Sequence, residues 1–153
     1  PNYVCIVPEK RKEVTTEGGL NLSKKNILLK KMVQEFKKQN IRVSLFIEPK
    51  ISDIKKSKEI NVDCVELHTG KYCRLFNMNK KTDNEFNKIK NAAIFAEKMK
   101  LEVHAGHGLT YKTTNKISKI KSISEFNIGH FIISESVFLG LKKTIHNFKR
   151  ILI

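Results

Sequence analysis

The chain has 153 residues, of which 40% are hydrophobic, and its 30 lysine and arginine residues against 15 acidic residues give a formal net charge of +15. This length and hydrophobic content support one domain with a single core and exclude a disordered chain. No apolar run approaches the roughly 20 residues needed to span a bilayer, and the start lacks the basic-then-apolar pattern of a secretory signal, so we expect a cytoplasmic protein with no membrane partner.

Short apolar runs along the chain predict β-strands, and stretches with helical spacing of apolar residues follow them. The predicted strands are Tyr3–Val7, Ile41–Ile47, Val62–Leu67, Leu101–Ala105 and Phe126–Ile128. The predicted helices run from an N-cap at Ser23 to Asn40, over Ile51–Ile60, from Asp83 to Met99, over Thr113–Ile120 and over Val137–Leu152. We expect the segment Gly70–Lys81 to be a loop.

The repeated strand–helix pattern predicts an α/β fold built from five βα units of roughly 30 residues each. Two architectures fit this pattern: an open doubly wound sheet that is complete in itself, or the last five units of a TIM (β/α)8 barrel, which typically needs about 250 residues. The chain starts with Pro1, almost directly on a strand, as expected for a single domain that is an N-terminally truncated barrel.

The three cysteines do not indicate a disulfide framework or a zinc site, because they are odd in number and form no CxxC pair. Cys5 and Cys64 fall within predicted strands, where we expect them to act as small apolar core residues.

The positive charge admits two interpretations. Lysine and arginine neutralise nucleic-acid phosphates, but only four of the basic residues are arginine, and the lysines fall in pairs along predicted outer helices. The composition therefore favours a solvated lysine-rich surface that attracts anionic small molecules over a nucleic-acid partner.

Glycine-rich segments follow the last two predicted strands, at His107-Gly108 and at Gly129-His130. Free amide N–H groups at such positions can bind an anion, and the last two βα loops of a TIM barrel form its usual phosphate site. The alternative is that these glycines only permit tight turns. Neither segment is a GxGxxG fingerprint or a P-loop, so dinucleotides and nucleoside triphosphates are not favoured.

Three histidines and one carboxylate fall at or near the same predicted rim: His68, His104, His107 and Glu66. Such groups can exchange protons at neutral pH, with the carboxylate orienting a histidine or stabilising positive charge. Metal binding by His104, His107 and Glu66 is the competing interpretation, but residues three apart on a strand face opposite ways unless the strand has already ended at Gly106. We therefore predict no metal and no cofactor, and a chemical role for His107.

Five segments of the chain together resemble the pyridoxine 5′-phosphate synthase family of the deoxyxylulose-dependent vitamin B6 pathway. They are VPEKRKEVTTEGGLNL (7–22), VSLFIEP (43–49), VELHTGKY (65–72), AGHGLTY (105–111) and NIGHFII (127–133), in the order and spacing of the family. The resemblance implies a TIM-type barrel that condenses 1-deoxy-D-xylulose 5-phosphate with 3-amino-2-oxopropyl phosphate, releasing phosphate and water.

The resemblance also implies roles for individual residues. His107 matches the family's proton donor, and Glu66 matches a carboxylate that stabilises a transition state. The positions that match substrate contacts are Thr15 for the deoxyxylulose phosphate, and Gly108, Gly129 and His130 for the aminooxopropyl phosphate.

The family's chain begins with about three further βα units that carry the remaining catalytic and phosphate-binding residues. Those motifs are absent from this sequence, so we expect the polypeptide alone to lack synthase activity. The family resemblance implies small-molecule phosphate substrates and a homo-oligomer, an octamer of barrels. The alternative function is a non-catalytic α/β module that binds phosphate or nucleic acid.

Overall fold

The computed structural model describes residues 1–8, 18–23 and 26–152. The described chain alternates strands and helices. The strands are β1 (Tyr3–Ile6), β2 (Arg42–Ile47), β3 (Cys64–His68), β4 (Glu102–Gly106) and β5 (Glu125–Asn127). The helices are α1 (Ile27–Lys38), α2 (Ile51–Ile60), α3 (Gly70–Asn77), α4 (Asp83–Lys98), α5 (Tyr111–Ile117), α6 (His130–Leu139) and α7 (Leu141–Leu152). The five predicted strands are thus confirmed.

The strands form one parallel sheet in which spatial order follows chain order, β1-β2-β3-β4-β5. A doubly wound sheet reverses its strand order at a switch point, so that interpretation is wrong. Because parallel crossovers are right-handed, an unreversed order puts every connecting helix on the same face of the sheet and leaves the other face open. The result is a half-barrel of the TIM type.

The two faces of the sheet differ in chemistry because successive side chains of a strand point in opposite directions. One set of strand residues packs with the helices in the hydrophobic core and is almost fully buried, and each such Val or Leu contributes about 1.5 to 3 kcal/mol. This set includes Val43, Leu45, Ile47, Val65, Leu67, Val103 and Ala105. The alternate residues are largely polar and face the inside of the half-barrel: Tyr3, Cys5, Ser44, Glu66, His104 and Asn127.

Helix α4 follows the prediction closely. Its apolar residues Ile89, Ala93 and Ala96 recur at helical spacing and are buried in the core. The small alanines let this helix lie close to β3 and β4, with which it makes contacts. Helix α2 spans the predicted range, and α5 starts two residues earlier than predicted, behind a capping box formed by Thr110 and Thr113.

Three local predictions are wrong. The segment Gly70–Asn77 is a helix, α3, because Tyr72 and Cys73 bury their side chains in the core. Helix α6 occupies the segment before Val137, where only strand and loop were expected. Ser23 is not an N-cap, since its N–H and hydroxyl donate to Asn21 Oδ1 at 3.0 and 2.5 Å, and α1 begins after Asn26.

No helix in the described part of the chain combines the length and the apolar character needed to cross a membrane.

Candidate active site

The carboxyl ends of the strands surround a cleft of about 500 Å³. Five of the six residues predicted as site residues line it together: Glu66, His107, Gly108, Gly129 and His130. The sixth, Thr15, lies outside the described residues. Because parallel strands end at the same rim, residues that are far apart in sequence meet here.

The Gly129 side of the cleft is a helix N-terminus. Gly129 is the N-cap of α6, no side chain caps this helix end, and its first turn has no acidic residue. The first backbone N–H groups of a helix lack intrahelical acceptors, and the helix dipole adds partial positive charge there. A Cβ added at Gly129 would meet no atom of the described residues within 4 Å, so none of them crowds this position. This end of the cleft suits an anion such as a phosphate ester.

The turn after β4, the strand next to β5, also lines the cleft. His107 and Gly108 both have positive φ angles, of 79° and 75°. The positive φ of Gly108 favours glycine, and a Cβ there would also lie 3.1 Å from Cys73 Cβ, a tight contact. Thr69 holds the turn by donating its hydroxyl to the carbonyls of Gly106 (2.8 Å) and His107 (2.6 Å). These contacts hold a histidine in a conformation that costs backbone energy.

Glu66 lies on the inner face of β3, next to the cleft. Its Oε2 accepts hydrogen bonds from Asn127 Nδ2 at 2.9 Å and from the Cys5 thiol at 3.5 Å. Burial raises the pKa of Glu66 above its ordinary value, although both hydrogen bonds oppose the change. A carboxyl group with a raised pKa is suited to take part in proton transfer.

Cys5 is not the buried core residue that was expected. It is an exposed residue of β1, and its thiol faces the inside of the half-barrel against Glu66. Desolvation of the thiol and the neighbouring Glu66 raise its pKa to about 12, so the thiol stays protonated at neutral pH. Cys64, by contrast, is fully buried as expected.

A Glu–His pair stands beside His107. His68 Nδ1 lies 2.9 Å from Glu48 Oε1, which also accepts the backbone N–H of Gly19 at 3.0 Å. The hydrogen bond from His68 is the main reason that the pKa of Glu48 falls to about 2. No role was assigned to Glu48 from the sequence. Its position directly after β2 could have indicated one, because it places Glu48 at the same rim as the other site residues.

His104 is buried and does not join His107 at the rim, although β4 ends at Gly106. Its Nδ1 lies 3.0 Å from the Tyr3 hydroxyl and its Nε2 3.0 Å from Glu102 Oε1. The metal-ligand set considered from sequence, His104 with His107 and Glu66, does not form in this arrangement.

A different trio, Cys64, Glu102 and His104, brings its potential ligand atoms within 4.8 Å of one another. The Arg42 guanidinium already binds two of these three residues: it donates a hydrogen bond to Cys64 Sγ at 3.3 Å and another to a Glu102 oxygen. The positive charge of Arg42 would repel a metal cation at the same place. We therefore interpret the three residues and Arg42 as a salt-bridge network.

Comparison with known proteins adds independent findings. The family model of the pyridoxal phosphate biosynthesis protein PdxJ matches residues 1–153. The chain is 60% identical over 151 residues to pyridoxine 5′-phosphate synthase of Pelagibacter ubique, covering 99% of the chain and 63% of that protein. It is 46% identical over 153 residues to the synthase of a Sulfurihydrogenibium species, covering 100% of the chain and 62% of that protein. The chain therefore spans somewhat less than two thirds of the length of these relatives.

Proposed function

The chain belongs to the PdxJ family of pyridoxal phosphate biosynthesis proteins, and from this membership we propose that it forms part of a pyridoxine 5′-phosphate synthase. The reaction that we propose condenses 1-deoxy-D-xylulose 5-phosphate with 3-amino-2-oxopropyl phosphate into pyridoxine 5′-phosphate, inorganic phosphate and water. The observation that carries this proposal is that His107, Glu66 and the Gly129-His130 segment line one cleft.

We propose that the aminooxopropyl phosphate binds between the two glycine turns. Gly108 and Gly129 both line the cleft, and the N-terminus of α6 supplies N–H groups and partial positive charge. His130 stands at the first position of that helix, where its ring can add a further donor to a phosphate oxygen. Thr15 is proposed to contact the deoxyxylulose phosphate.

His107 is proposed to donate a proton during ring closure, and Glu66 to stabilise the positively charged intermediates that an amine forms with a ketone. The position of Glu66 in the cleft and its hydrogen bond from Asn127, which favours the ionised carboxylate, support this division of labour. Condensation also needs a base and a clamp for the second phosphate at the same time. We propose that these come from βα units of the kind that make up the remaining third of the relatives.

Ligand binding tests the cleft directly. We expect titration calorimetry with the two phosphate esters to show binding that His130→Ala weakens by about 10-fold or more, because a charge-assisted contact to phosphate is lost. His146→Ala is the matched control, since His146 is an exposed residue of α7 away from the cleft. Unchanged ester binding in His130→Ala, or preferential binding of single-stranded RNA, would contradict the proposal.

Turnover tests the incomplete site. We expect residues 1–153 alone to form no pyridoxine 5′-phosphate from the two substrates, because the proposed second phosphate clamp and base are not in this sequence. Product formation by the pure polypeptide, detected by mass spectrometry, would refute this expectation.

A further inference from the structure

Two imidazoles meet at the rim of the sheet. His68, the last residue of β3, and His107, in the turn after β4, have ring centroids 5.0 Å apart with an interplanar angle of 62°. His68 also meets Phe46 of β2 edge-on, with centroids 5.1 Å apart. The His68 ring is therefore held between a phenyl ring and the proposed proton donor, and only 8% of His68 is exposed.

Glu48 determines which nitrogen of His68 carries the proton. Its carboxylate stays ionised because its pKa is about 2, so it can only accept hydrogen bonds. His68 Nδ1, 2.9 Å away, must then be the donor. The other ring nitrogen, Nε2, is buried and has no hydrogen-bond partner among the described residues.

Two glycines make this arrangement possible. A Cβ at Gly70 would lie 2.5 Å from His68 Nε2 and 2.7 Å from His107 Cδ2, so any side chain there would force the two rings apart. A Cβ at Gly19 would overlap the backbone nitrogen of Glu48. Because Gly19 lies this close, its N–H reaches Glu48 Oε1 at 3.0 Å and holds the same oxygen that accepts the hydrogen bond from His68.

We infer that Glu48 and His68 are positioning residues that set the orientation of the His107 imidazole. Glu48 fixes the tautomer and plane of His68, and the buried His68 ring, pressed edge-on against His107, limits the rotation of the His107 ring. Thr69 fixes the backbone of His107 from the same segment of chain. This inference rests on the proposed function only in giving His107 its chemical role.

The test is the imidazole nitrogen spectrum of the whole chain, recorded by NMR with labelled histidine at one neutral pH. We expect His68 to carry its proton on Nδ1. In Glu48→Ala we expect the loss of that Nδ1–H signal and a change in the ring resonances of His107. Glu35→Ala is the matched control, because Glu35 is an exposed glutamate whose carboxylate contacts Lys38. It should leave both rings unchanged.

A second variant keeps the inference testable if Glu48→Ala fails to fold. Gly70→Ala should shift the ring resonances of both histidines, because it inserts a methyl group between them. The inference is overturned if the unaltered chain carries the His68 proton on Nε2, or if the His107 resonances stay unchanged in a folded Glu48→Ala or Gly70→Ala variant. If the expected tautomer is seen in a chain that binds no phosphate ester, the proposed function fails while the positioning pair stands.

Discussion

Glu48 connects three separate parts of the chain through one carboxylate. It follows β2 directly, accepts the backbone N–H of Gly19, and accepts the Nδ1–H of His68 at the end of β3. Each of these bonds favours the ionised form over the protonated form. The pKa of Glu48 consequently falls from 4.5 to about 2, which makes this residue a contributor to acid sensitivity.

The sign of the pH effect follows from that lowered pKa. Ionised Glu48 stabilises the folded state fully above pH 4.5, and this contribution is lost as the pH falls toward about 2. We expect Glu48→Gln to lower the free energy of unfolding by about 1 to 2 kcal/mol at neutral pH. Solvent screening reduces this value, because one third of the Glu48 side chain is exposed. The difference between the two proteins should shrink as the pH approaches 2.

Urea unfolding of both proteins at several pH values between neutral and acid gives the measurement. Glu35→Gln serves as the control for removing a surface charge, since 65% of the Glu35 side chain is exposed. If the free energies of unfolding of Glu48→Gln and the unaltered protein differ by the same amount at neutral pH and near pH 2, the lowered pKa of Glu48 is not the cause of the difference.

Sequence reasoning found those site residues that carry a distinctive local pattern. The Gly-His and His-Gly pairs after the last two strands predicted a shared cleft, and His107 and Gly129 do line the same cleft. Asn127 and Glu48 went unnoticed, because their contacts with Glu66 and His68 depend on which strands lie side by side. A single sequence does not give that pairing until the strand order is known.

The paired helices α6 and α7 end the described chain and are separated by one residue. Gly140 has φ 79° and ψ 145°, a combination that only glycine adopts without strain. The Tyr111, Phe131 and Phe148 rings, one each from α5, α6 and α7, pack within 4.5 to 5.8 Å of each other. The break at Gly140 allows α7 to turn back and complete this aromatic cluster.

Replacing Gly140 isolates the backbone cost of this break. A Cβ at this position would meet nothing within 4 Å, so Gly140→Ala introduces strain without a steric clash. We expect a loss of about 1 to 3 kcal/mol in the free energy of unfolding, measured by urea denaturation. Gly129→Ala is the matched control, because its Cβ is equally unobstructed and its φ of −103° suits any residue. Equal stability of the two variants would contradict the prediction.

The helices that were missed share a physical cause. Residues 130–139, HFIISESVFL, have apolar residues on every side of the helix, so they show no helical periodicity that would distinguish them from a strand. Residues 70–77 begin with glycine and mix lysine with aromatics, which reads as a loop until Tyr72 meets Phe76 and Phe86. In residues 70–77 tertiary packing outweighs the local pattern. The strands and α4 have a clear pattern of apolar residues in their own sequence, and this pattern was sufficient to predict them.

Over the residues that the structure describes, the molecule as a whole is a sheet with two unpaired edges. Within these residues β1 pairs only with β2, and β5, which has three residues, pairs only with β4. Three large apolar residues of α6, Ile133, Val137 and Phe138, are 65 to 84% exposed. Open parallel edges and exposed apolar groups both favour association with other chains.

Residues 1–153 alone should therefore associate at micromolar concentration. Copies that each carry a charge of +15 repel one another, and salt screens this repulsion while leaving edge pairing and apolar contacts intact. We expect the weight-average mass from analytical ultracentrifugation to exceed that of a monomer and to rise with salt. A monomer that melts cooperatively at every salt concentration would contradict this prediction.

The strict agreement between strand order along the chain and strand order in space also bears on biosynthesis. As the polypeptide leaves the ribosome, each strand from β2 to β5 can pair with the strand synthesised just before it. Within this sheet no pairing needs a strand from a distant part of the sequence. Assembly can thus advance in one direction, one βα unit at a time, with a single growing edge. A translational pause between units would leave a nascent sheet that is smaller but has the same pairing.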